Sequence, residues 1–288
     1  MPTVICAGLI TLDAVYELTA YPKEGSKVRA NAARLVPGGG ALLAATAIAR
    51  LGGKARLAGA VGDDLLGEHV RDHLKRRGID DSLVQTLEGE TTSHSAVLVT
   101  GNGERTIVNR RSDHLPDLEL TAGIPDHDAV LADTRCRALA SGLFHAARQD
   151  GKPTVLDGEV PLPVELLPAV SHLALSEQGL AGFHGQSLAG IAAQHGCWAC
   201  VTRGAAPVQV HDGTEFAPPP VTPLDTLGAG DVWHGAFAFA LAGGSDEPDA
   251  VRFANAAAAL FVSRTGEGRY PTLKEVEEKR DAKAETDR

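Results

Sequence analysis

Short apolar segments recur along this chain of 288 residues, and stretches with helical periodicity separate most of them. These segments are predicted to be strands at positions 4–10, 55–61, 129–132, 153–157, 173–175 and 199–202. Apolar strands that alternate with helices form a parallel sheet, because the crossover helices cover both of its faces. The sequence therefore predicts an α/β fold with a mostly parallel, Rossmann-type central sheet and helices on both faces.

Two segments, 14–36 and 94–111, break this alternation. Both read as polar-alternating strands without crossover helices, and a turn at 101–104 predicts a hairpin in the second one. We expect them to form a small β-sheet that projects from the core as a lid. The predicted core then comprises residues 1–13, 37–93 and 112–288.

Charge and cysteine content exclude several classes of protein. The formal net charge is −10, whereas a nucleic-acid-binding protein needs a basic face. We find no apolar run long enough to cross a bilayer and no basic leader at the N-terminus, so no membrane partner is expected. The four cysteines suggest no disulfide framework, which indicates a reducing, cytoplasmic location.

The segment 223–231, with sequence PLDTLGAGD, combines three features that phosphoryl transfer needs. Its glycines leave backbone N–H groups open to an anion, and the apolar helix that follows directs its N-terminal dipole at the same point. Asp231 lies at the junction, where a carboxylate can accept a proton from a hydroxyl. The alternative is an ordinary loop with Asp231 as a helix N-cap.

Further polar or glycine residues follow the predicted strands, at the edge where open α/β sheets bind ligands. They are Asp13, Gly38 to Gly40, Asp133 with Arg135, Asp157, Ser176 with Glu177, Thr202 to Gly204, and the segment from Asp225 to Asp231. Each alone is more often a cap or a turn residue. Their coincidence at one edge predicts a binding site there.

With these motifs the chain resembles the ribokinase-like, phosphofructokinase-B family of carbohydrate kinases over almost its whole length. The resemblance rests on Gly8 with Asp13, on Gly38-Gly39 with the segment 49–52, on Gly59 to Asp63, on 201–204 and on 225–231. It implies the ribokinase-like fold and the ATP-dependent phosphorylation of a sugar hydroxyl. It also implies a homodimer that forms through the lid.

The resemblance assigns a role to each candidate residue. Asp231 would be the catalytic base, and the N–H groups of Gly228, Ala229 and Gly230 would form the anion hole. The sugar would contact Asp13, Gly39, Gly40 and Asp133. ATP would lie along Ser176, Thr202, Gly204, Gly228, Gly230 and Asn255. Asp225 would bind a monovalent cation such as K⁺, and Glu177 would take part in the Mg²⁺ network.

Three positions depart from the family pattern. Leu43 stands where the family usually has an Asn that contacts a sugar hydroxyl, which weakens a plain ribokinase or ketohexokinase assignment. The usual Asn-x-x-Glu motif of the Mg²⁺ network is replaced by SEQG at 176–179, so Glu177 is shifted in position. Leu227 replaces the second Thr of the cation motif, a small change if only its carbonyl is used.

Within the family, the chain is most similar to the sulfofructose kinases, which phosphorylate 6-deoxy-6-sulfofructose at its 1-hydroxyl. That group holds the sulfonate with a Lys, an Asn and an Arg, and the matching positions here are Lys27, Asn109 and Arg135. A sulfonate is a permanent anion that accepts several hydrogen bonds, which suits this trio of donors. Alternatively, Lys27 is a solvated loop residue and Arg135 pairs with Asp133.

Other functions stay open at this point. Lys27 and Arg135 could equally bind a carboxylate or phosphate, so the substrate could be 2-keto-3-deoxygluconate, fructose or a ribose-type sugar. A nucleotide- or sugar-binding sensor without turnover is a further alternative, although Asp231 and the glycine turn argue against it. His234, one helical turn after Asp231, could face the sugar or pack between helices.

Overall fold

Thirteen strands and eight helices are found in the computed structural model, which describes residues 1–101, 104–121 and 123–286. The strands are β1 Thr3–Ala7, β2 Thr11–Leu18, β3 Ala32–Gly38, β4 Lys54–Gly62, β5 Asp80–Leu87, β6 His94–Thr100, β7 Arg105–Arg110, β8 Ala129–Ala132, β9 Thr154–Gly158, β10 His172–Ser176, β11 Trp198–Arg203, β12 Ala206–Val210 and β13 Glu215–Phe216. The helices are α1 Gly40–Arg50, α2 Leu65–Arg77, α3 Arg137–Gln149, α4 Glu177–Ala181, α5 Leu188–His195, α6 Ala229–Ala242, α7 Glu247–Val262 and α8 Leu273–Thr286.

Nine strands form the central sheet, in the order β13-β12-β11-β10-β9-β8-β1-β4-β5. The seven strands from β11 to β5 in this order pair in parallel, and β12 and β13 add an antiparallel edge. Parallel strands end at the same edge of a sheet, so the loops after β1, β8, β9, β10 and β11 meet there. This edge carries the site described below.

Helices cover both faces of the central sheet. One face packs against α1, α2, α6 and α7, and the other packs against α3 and α5. Helix α6 is buried along almost its whole length, from Val232 to Leu241, which is why its sequence is apolar on every side. Gly235 lets α6 approach α1 closely, because a Cβ at this position would lie 2.7 Å from the carbonyl oxygen of Ala44. The start of α6 is therefore held rigidly at the carboxyl edge of the sheet.

A separate four-stranded sheet, in the order β3-β2-β6-β7, stands beside the core; we call it the lid sheet. Strands β6 and β7 form the expected antiparallel hairpin, and β2 pairs in parallel with β6. The two middle residues of the expected turn, Asn102 and Gly103, lie outside the described residues.

The predicted fold class is confirmed: a mostly parallel central sheet, helices on both faces and a small separate sheet. The lid strands extend beyond the expected segment of 14–36, because β2 already begins at Thr11 and β3 continues to Gly38. The division of the chain into core and lid domains stays a prediction. None of the helices in the described ranges is both long and apolar enough to span a membrane.

Candidate active site

The glycine turn before α6 adopts the conformation that its sequence suggests. Gly228 precedes the helix with φ of 81°, in the left-handed region that favours glycine. The first helical bond runs from Val232 N to the carbonyl oxygen of Gly228, so the N–H groups of Gly230 and Asp231 precede the helical ladder. The N–H of Ala229, which we expected to be open, lies 3.2 Å from the carbonyl oxygen of Thr226 and is partly engaged in the turn. This helix start offers donors and a positive dipole end to an anion.

Asp231 lies in the first turn of α6, opposite the start of α1. A Cβ built on Gly40 would lie 3.0 Å from Oδ1 of Asp231 and 3.4 Å from Oδ2 of Asp133, so Gly40 separates the two carboxylates without filling the space between them. Burial, and next to it the charge of Asp157, raise the pKa of Asp231 to about 7. A carboxylate with a pKa near neutrality is a stronger base than an ordinary Asp, which suits proton transfer from a hydroxyl.

Asp133 is fixed at the end of β8 by two backbone donors. The N–H of Leu9 donates to its Oδ2 at 2.7 Å, and the N–H of Arg135 donates to its Oδ1 at 2.8 Å. Gly8 makes this approach possible, because a Cβ there would lie 2.2 Å from the carboxyl carbon. Burial still raises the pKa of Asp133. Its carboxylate is therefore a rigid acceptor beside Asp231, and its contact with the sugar stays a prediction.

Asp157 and His234 form a buried pair beneath the two carboxylates. Nδ1 of His234 lies 3.4 Å from Oδ2 of Asp157. Burial raises the pKa of Asp157 well above its usual range and lowers the pKa of His234. His234 also packs edge-on against Trp233, with ring centroids 5.3 Å apart. Of its two predicted roles, packing is thus the one that its contacts support.

Next to Asp133 lies a cavity of about 370 Å³ lined by three arginines, Arg111, Arg135 and Arg137; we call it the arginine cavity. Arg135 contacts the carboxylate of Glu159, and Arg137 lies 3.6 Å from Glu165 at the exposed rim. Arg111 has no such carboxylate contact: its Nε is buried and has no hydrogen-bond partner within the described ranges. Burial and the charge of Arg135 lower the pKa of Arg111. Sequence reasoning missed Arg111, since it follows a lid strand with no motif around it.

One face of the lid sheet carries a row of polar residues. Asp13, Ser95 and Asn109 are neighbours across β2, β6 and β7, so their side chains share a face. Burial raises the pKa of Asp13, to which the hydroxyl of Thr11 donates at 3.1 Å. Asn109 is exposed on this face and Lys27 is exposed in the loop before β3, and neither lines the arginine cavity. Of the expected sulfonate trio, only Arg135 therefore belongs to that cavity.

The predicted nucleotide residues group on the neighbouring strands. Ser176 and Thr202 are register partners at the ends of β10 and β11, and Gly204 turns the chain with φ of 59°. The sugar candidates follow β8 and β1, about three strand spacings away, or roughly 14 Å. The start of α6 lies between the two groups, because His234 contacts Asp157 on β9.

The role expected for Asn255 needs correction. Its amide oxygen accepts from Nε1 of Trp233 at 2.8 Å, and its amide nitrogen donates to the carbonyl oxygen of Phe216 at 3.0 Å. The residue is only 4% exposed. Asn255 thus ties α6, α7 and β13 together, and its side chain is not presented to an open nucleotide cleft.

Asp225, predicted to bind a monovalent cation, is instead paired with two arginines. Nη2 of Arg105 lies 2.9 Å from its Oδ1, and Nη1 of Arg269 lies 3.0 Å from its Oδ2. Leu227 N also donates to Oδ1, at 2.9 Å. Both carboxylate oxygens are therefore engaged by protein groups.

Glu177 is the residue that we expected to take part in holding Mg²⁺. It is exposed at the first position of α4, directly after Ser176, whose hydroxyl caps the helix. Mg²⁺ keeps several waters and is usually bound by one or two carboxylates together with the phosphates of the substrate. Glu177 is one exposed carboxylate beside β10 and β11, the strands that carry the predicted nucleotide residues, and it fits that mode. Among the described residues there is no group of three or more His, Cys, Asp or Glu side chains that could hold a metal alone.

Similarity to known proteins identifies the family of this chain. Residues 1–273 match the family model described as pfkB family carbohydrate kinase. The chain belongs to this family. The kinase is 31% identical to the ribokinase of Bacillus subtilis, over 96% of this chain and 99% of that one. Among solved structures it is similar to a provisionally named ribokinase from Agrobacterium tumefaciens, with a TM-score of 0.90, 35% identity and 99% of both chains covered.

A more distant structure shows the same fold with ligands in it. The Arabidopsis thaliana ribokinase, complexed with ribose and ATP, has a TM-score of 0.78 and 24% identity over 97% of this chain and 98% of that one. The family model and the Bacillus subtilis relative identify the chain as a ribokinase-family carbohydrate kinase, a phosphotransferase, and this structure shows the same fold.

The arrangement can carry out a direct phosphoryl transfer. A sugar hydroxyl near Asp231 could give its proton to this carboxylate while its oxygen forms a bond to the γ-phosphorus of ATP, and the bond from that phosphorus to the bridging oxygen breaks so that ADP leaves. In this arrangement the negative charge on the transferred group would develop at the start of α6, where N–H donors and the helix dipole can stabilise it. Mg²⁺, when bound with the nucleotide, offsets the charge of the phosphates.

Proposed function

We propose that this kinase uses MgATP to phosphorylate a sugar that carries an anionic group, and specifically 6-deoxy-6-sulfofructose at its 1-hydroxyl. The observation that carries the proposal is the arginine cavity beside Asp133. Three arginines line it in a protein whose net charge is −10, and one of them, Arg111, has no carboxylate contact among the described residues. Arginine offers planar, forked donors that match tetrahedral and planar anions.

The position of the cavity supports an anion at the far end of the sugar. On one side, Asp133 accepts a hydrogen bond from the backbone N–H of Arg135. On the other side, Gly40 separates Asp133 from Asp231. A sugar held by Asp133 would place one end at Asp231 and the other at the arginines. The same chemistry would accept a phosphate or a carboxylate, as in 2-keto-3-deoxygluconate, so the sulfonate itself rests on the resemblance to sulfofructose kinases.

A ribose-type kinase is the second candidate, and the 31% identity to the Bacillus subtilis ribokinase favours it. Leu43 argues in the other direction. Its Cδ1 would lie 3.0 Å from a Cβ on Gly228, so an apolar side chain faces the glycine turn where the family usually has Asn. A neutral sugar therefore loses a polar partner at this place.

The test compares substrates. ADP release with MgATP is measured for sulfofructose, fructose, fructose 6-phosphate, 2-keto-3-deoxygluconate and ribose, and NMR of the product identifies the phosphorylated hydroxyl. We expect kcat/KM for sulfofructose to exceed that for fructose by ~10–10²-fold, the range for hydrogen bonds to a charged group. Arg135→Ala should remove this difference.

Arg110→Ala is the matched control, because Arg110 is exposed and lies 3.9 Å from Asp113. It should leave the preference for the anionic sugar unchanged. A wild-type enzyme that prefers ribose or fructose, with no effect of Arg135→Ala, would overturn the proposed substrate. Absence of turnover with every sugar would leave a binding protein as the function.

We also propose a homodimer that forms through the outer face of the lid sheet. Leu35, Ala14, Ala96 and Val108 form one row across its four strands, opposite to the face that carries Asp13. Leu35 is 56% exposed and Val108 is 63% exposed, so this row is an apolar surface without cover in a single chain. Sedimentation of the wild type against Val108→Glu tests it, with a shift to monomer expected.

A cytoplasmic location is part of the proposal. All four cysteines are free, buried thiols, and burial raises the pKa of each of them, as expected for unreactive side chains in a reducing compartment. Localisation of a tagged chain by fractionation checks this.

A further inference from the structure

The guanidinium of Arg269 fills the centre of the loop 223–228, which we call the Asp225 loop. Its Nη1 donates to Oδ2 of Asp225 at 3.0 Å. Its Nη2 donates to two main-chain carbonyl oxygens, that of Asp225 at 2.9 Å and that of Leu227 at 3.2 Å. One cation thus binds three converging oxygens of a single short loop.

The guanidinium of Arg269 also packs against an aromatic ring. Its carbon Cζ lies 3.7 Å from the centroid of the Phe261 ring, a cation–π distance. Its side chain is 15% exposed, and it comes from the short 3-10 turn between α7 and α8. The guanidinium is therefore a fixed part of the protein rather than a solvated surface group.

A carboxylate and main-chain carbonyls are the oxygen ligands that an alkali cation takes in proteins. The resemblance to the ribokinase-like kinases implies K⁺ at Asp225, but the residues present do not fit it. Arg269 already occupies the oxygens that K⁺ would need, and Arg105 brings a second positive charge to the same carboxylate. A further cation here would meet two like charges at close range.

We propose that Arg269 replaces the monovalent cation, so that this kinase carries its own cation and needs no K⁺. Arg269 is a positioning residue. It holds Asp225 and Leu227 in the segment that leads into Gly228, and so fixes the start of α6 that receives the phosphoryl group. The inference holds for whichever sugar is the substrate, since it concerns only the phosphoryl end.

The first measurement needs no variant. Turnover and the melting temperature of the wild type are compared across KCl concentrations, with ionic strength kept constant by tetramethylammonium chloride. We expect neither to respond to K⁺. An increase of about tenfold or more in kcat, or a rise in melting temperature that is specific to K⁺, would overturn the proposal. A substrate assignment that fails would leave this result unaffected, because the assay uses any sugar that is turned over.

Arg269→Ala then tests the role of the guanidinium. Loss of the fixed charge should release the Asp225 loop and lower kcat by ~10²-fold, the cost of a misplaced anion-hole donor. K⁺ or free guanidinium ion should restore part of the activity and of the melting temperature, which a purely structural role would not predict. Arg269→Lys keeps one charge and should retain more activity. Wild-type kcat in Arg269→Ala, or a loss that no cation restores in a folded variant, would contradict the proposal.

Discussion

The two ends of the cleft treat charge in opposite ways. At the phosphoryl end, Asp225 is paired on both oxygens and the donors at the start of α6 belong to the backbone. At the sugar end, Arg111 and Arg135 lie side by side, and Nε of Arg111 is left without a hydrogen-bond partner in the part of the chain that the structure describes. The carboxylate of Asp225 at the phosphoryl end is thus neutralised by two arginines of the protein itself, whereas Arg111 at the proposed sugar end has no ion pair among the described residues and can meet the charge of a ligand.

The largest expected effect comes from the base itself. Asp231→Asn keeps the size of the side chain but cannot accept the proton of the hydroxyl, so kcat should fall by ~10²–10⁴-fold. ADP release measures the rate. Wild-type turnover in this variant would show that Asp231 takes no part in the chemistry. The two ends of the cleft could then no longer be assigned different roles.

The thermal stability of the same variant is its control for folding. Because burial raises the pKa of Asp231 to about 7, the folded state favours the protonated form. The stability that this group contributes is therefore full below its ordinary pKa and is lost as the pH rises through about 7. Asn carries no charge, so the melting temperature of Asp231→Asn should rise relative to that of the wild type as the pH increases towards about 7, and the difference should stay constant at higher pH.

A methyl group at Gly40 probes how tightly the phosphoryl end is built. In Gly40→Ala the new Cβ would lie 3.0 Å from Oδ1 of Asp231 and should displace this carboxylate, with a loss in kcat of up to ~10²-fold. Gly142→Ala, in α3, is the matched control, because its Cβ meets no atom within 4 Å among the described residues. Equal kinetics of the two variants would show that the position of Asp231 is not restricted by Gly40.

Arg111 tests the sugar end. Arg111→Ala should lower kcat/KM for an anionic sugar by ~10-fold or more, and it should change that for a neutral sugar little, since only the anion needs the charge. Competition between sulfofructose and fructose in one assay gives the ratio directly. An equal loss for both sugars would mean that Arg111 supports the structure of the cleft rather than its specificity.

The smallest effect is a shift in pH dependence. Wild-type kcat/KM should rise as the pH passes about 7, where Asp231 loses its proton. The charge of Asp157 contributes to this raised pKa, after burial, so Asp157→Asn should move the rise to lower pH. Asp113→Asn makes the same charge change on a side chain that is 97% exposed and should leave the profile unchanged.

The two ends also differ in how far the sequence predicts them. The turn at Gly228 and the base Asp231 are neighbours in the chain, so one local motif describes them. Asp133 and Arg135 follow a strand, and the rule for open sheets brings them to the same edge. The fold class could be predicted for the same reason, because the alternation of strands and helices is local.

What the sequence did not reveal depends on contacts between distant segments. Arg269 reaches Asp225 across 44 positions and Arg105 reaches it across 120, and neither has a motif around it. Asp157 was noted at a strand end, but its partner His234 comes from a helix far along the chain. The amide of Asn255 is used by Trp233 and Phe216, a packing that only the folded chain defines.

The division of the cleft has a consequence for how such an enzyme can diversify. Arg111 directly follows a lid strand, whereas Asp231 lies in the first turn of a helix that is buried in the core. Substitutions after β7 can therefore alter the charge that meets the far end of the sugar without repacking α6. Kinases with this arrangement can therefore change their sugar substrate while the groups that transfer the phosphoryl group stay the same.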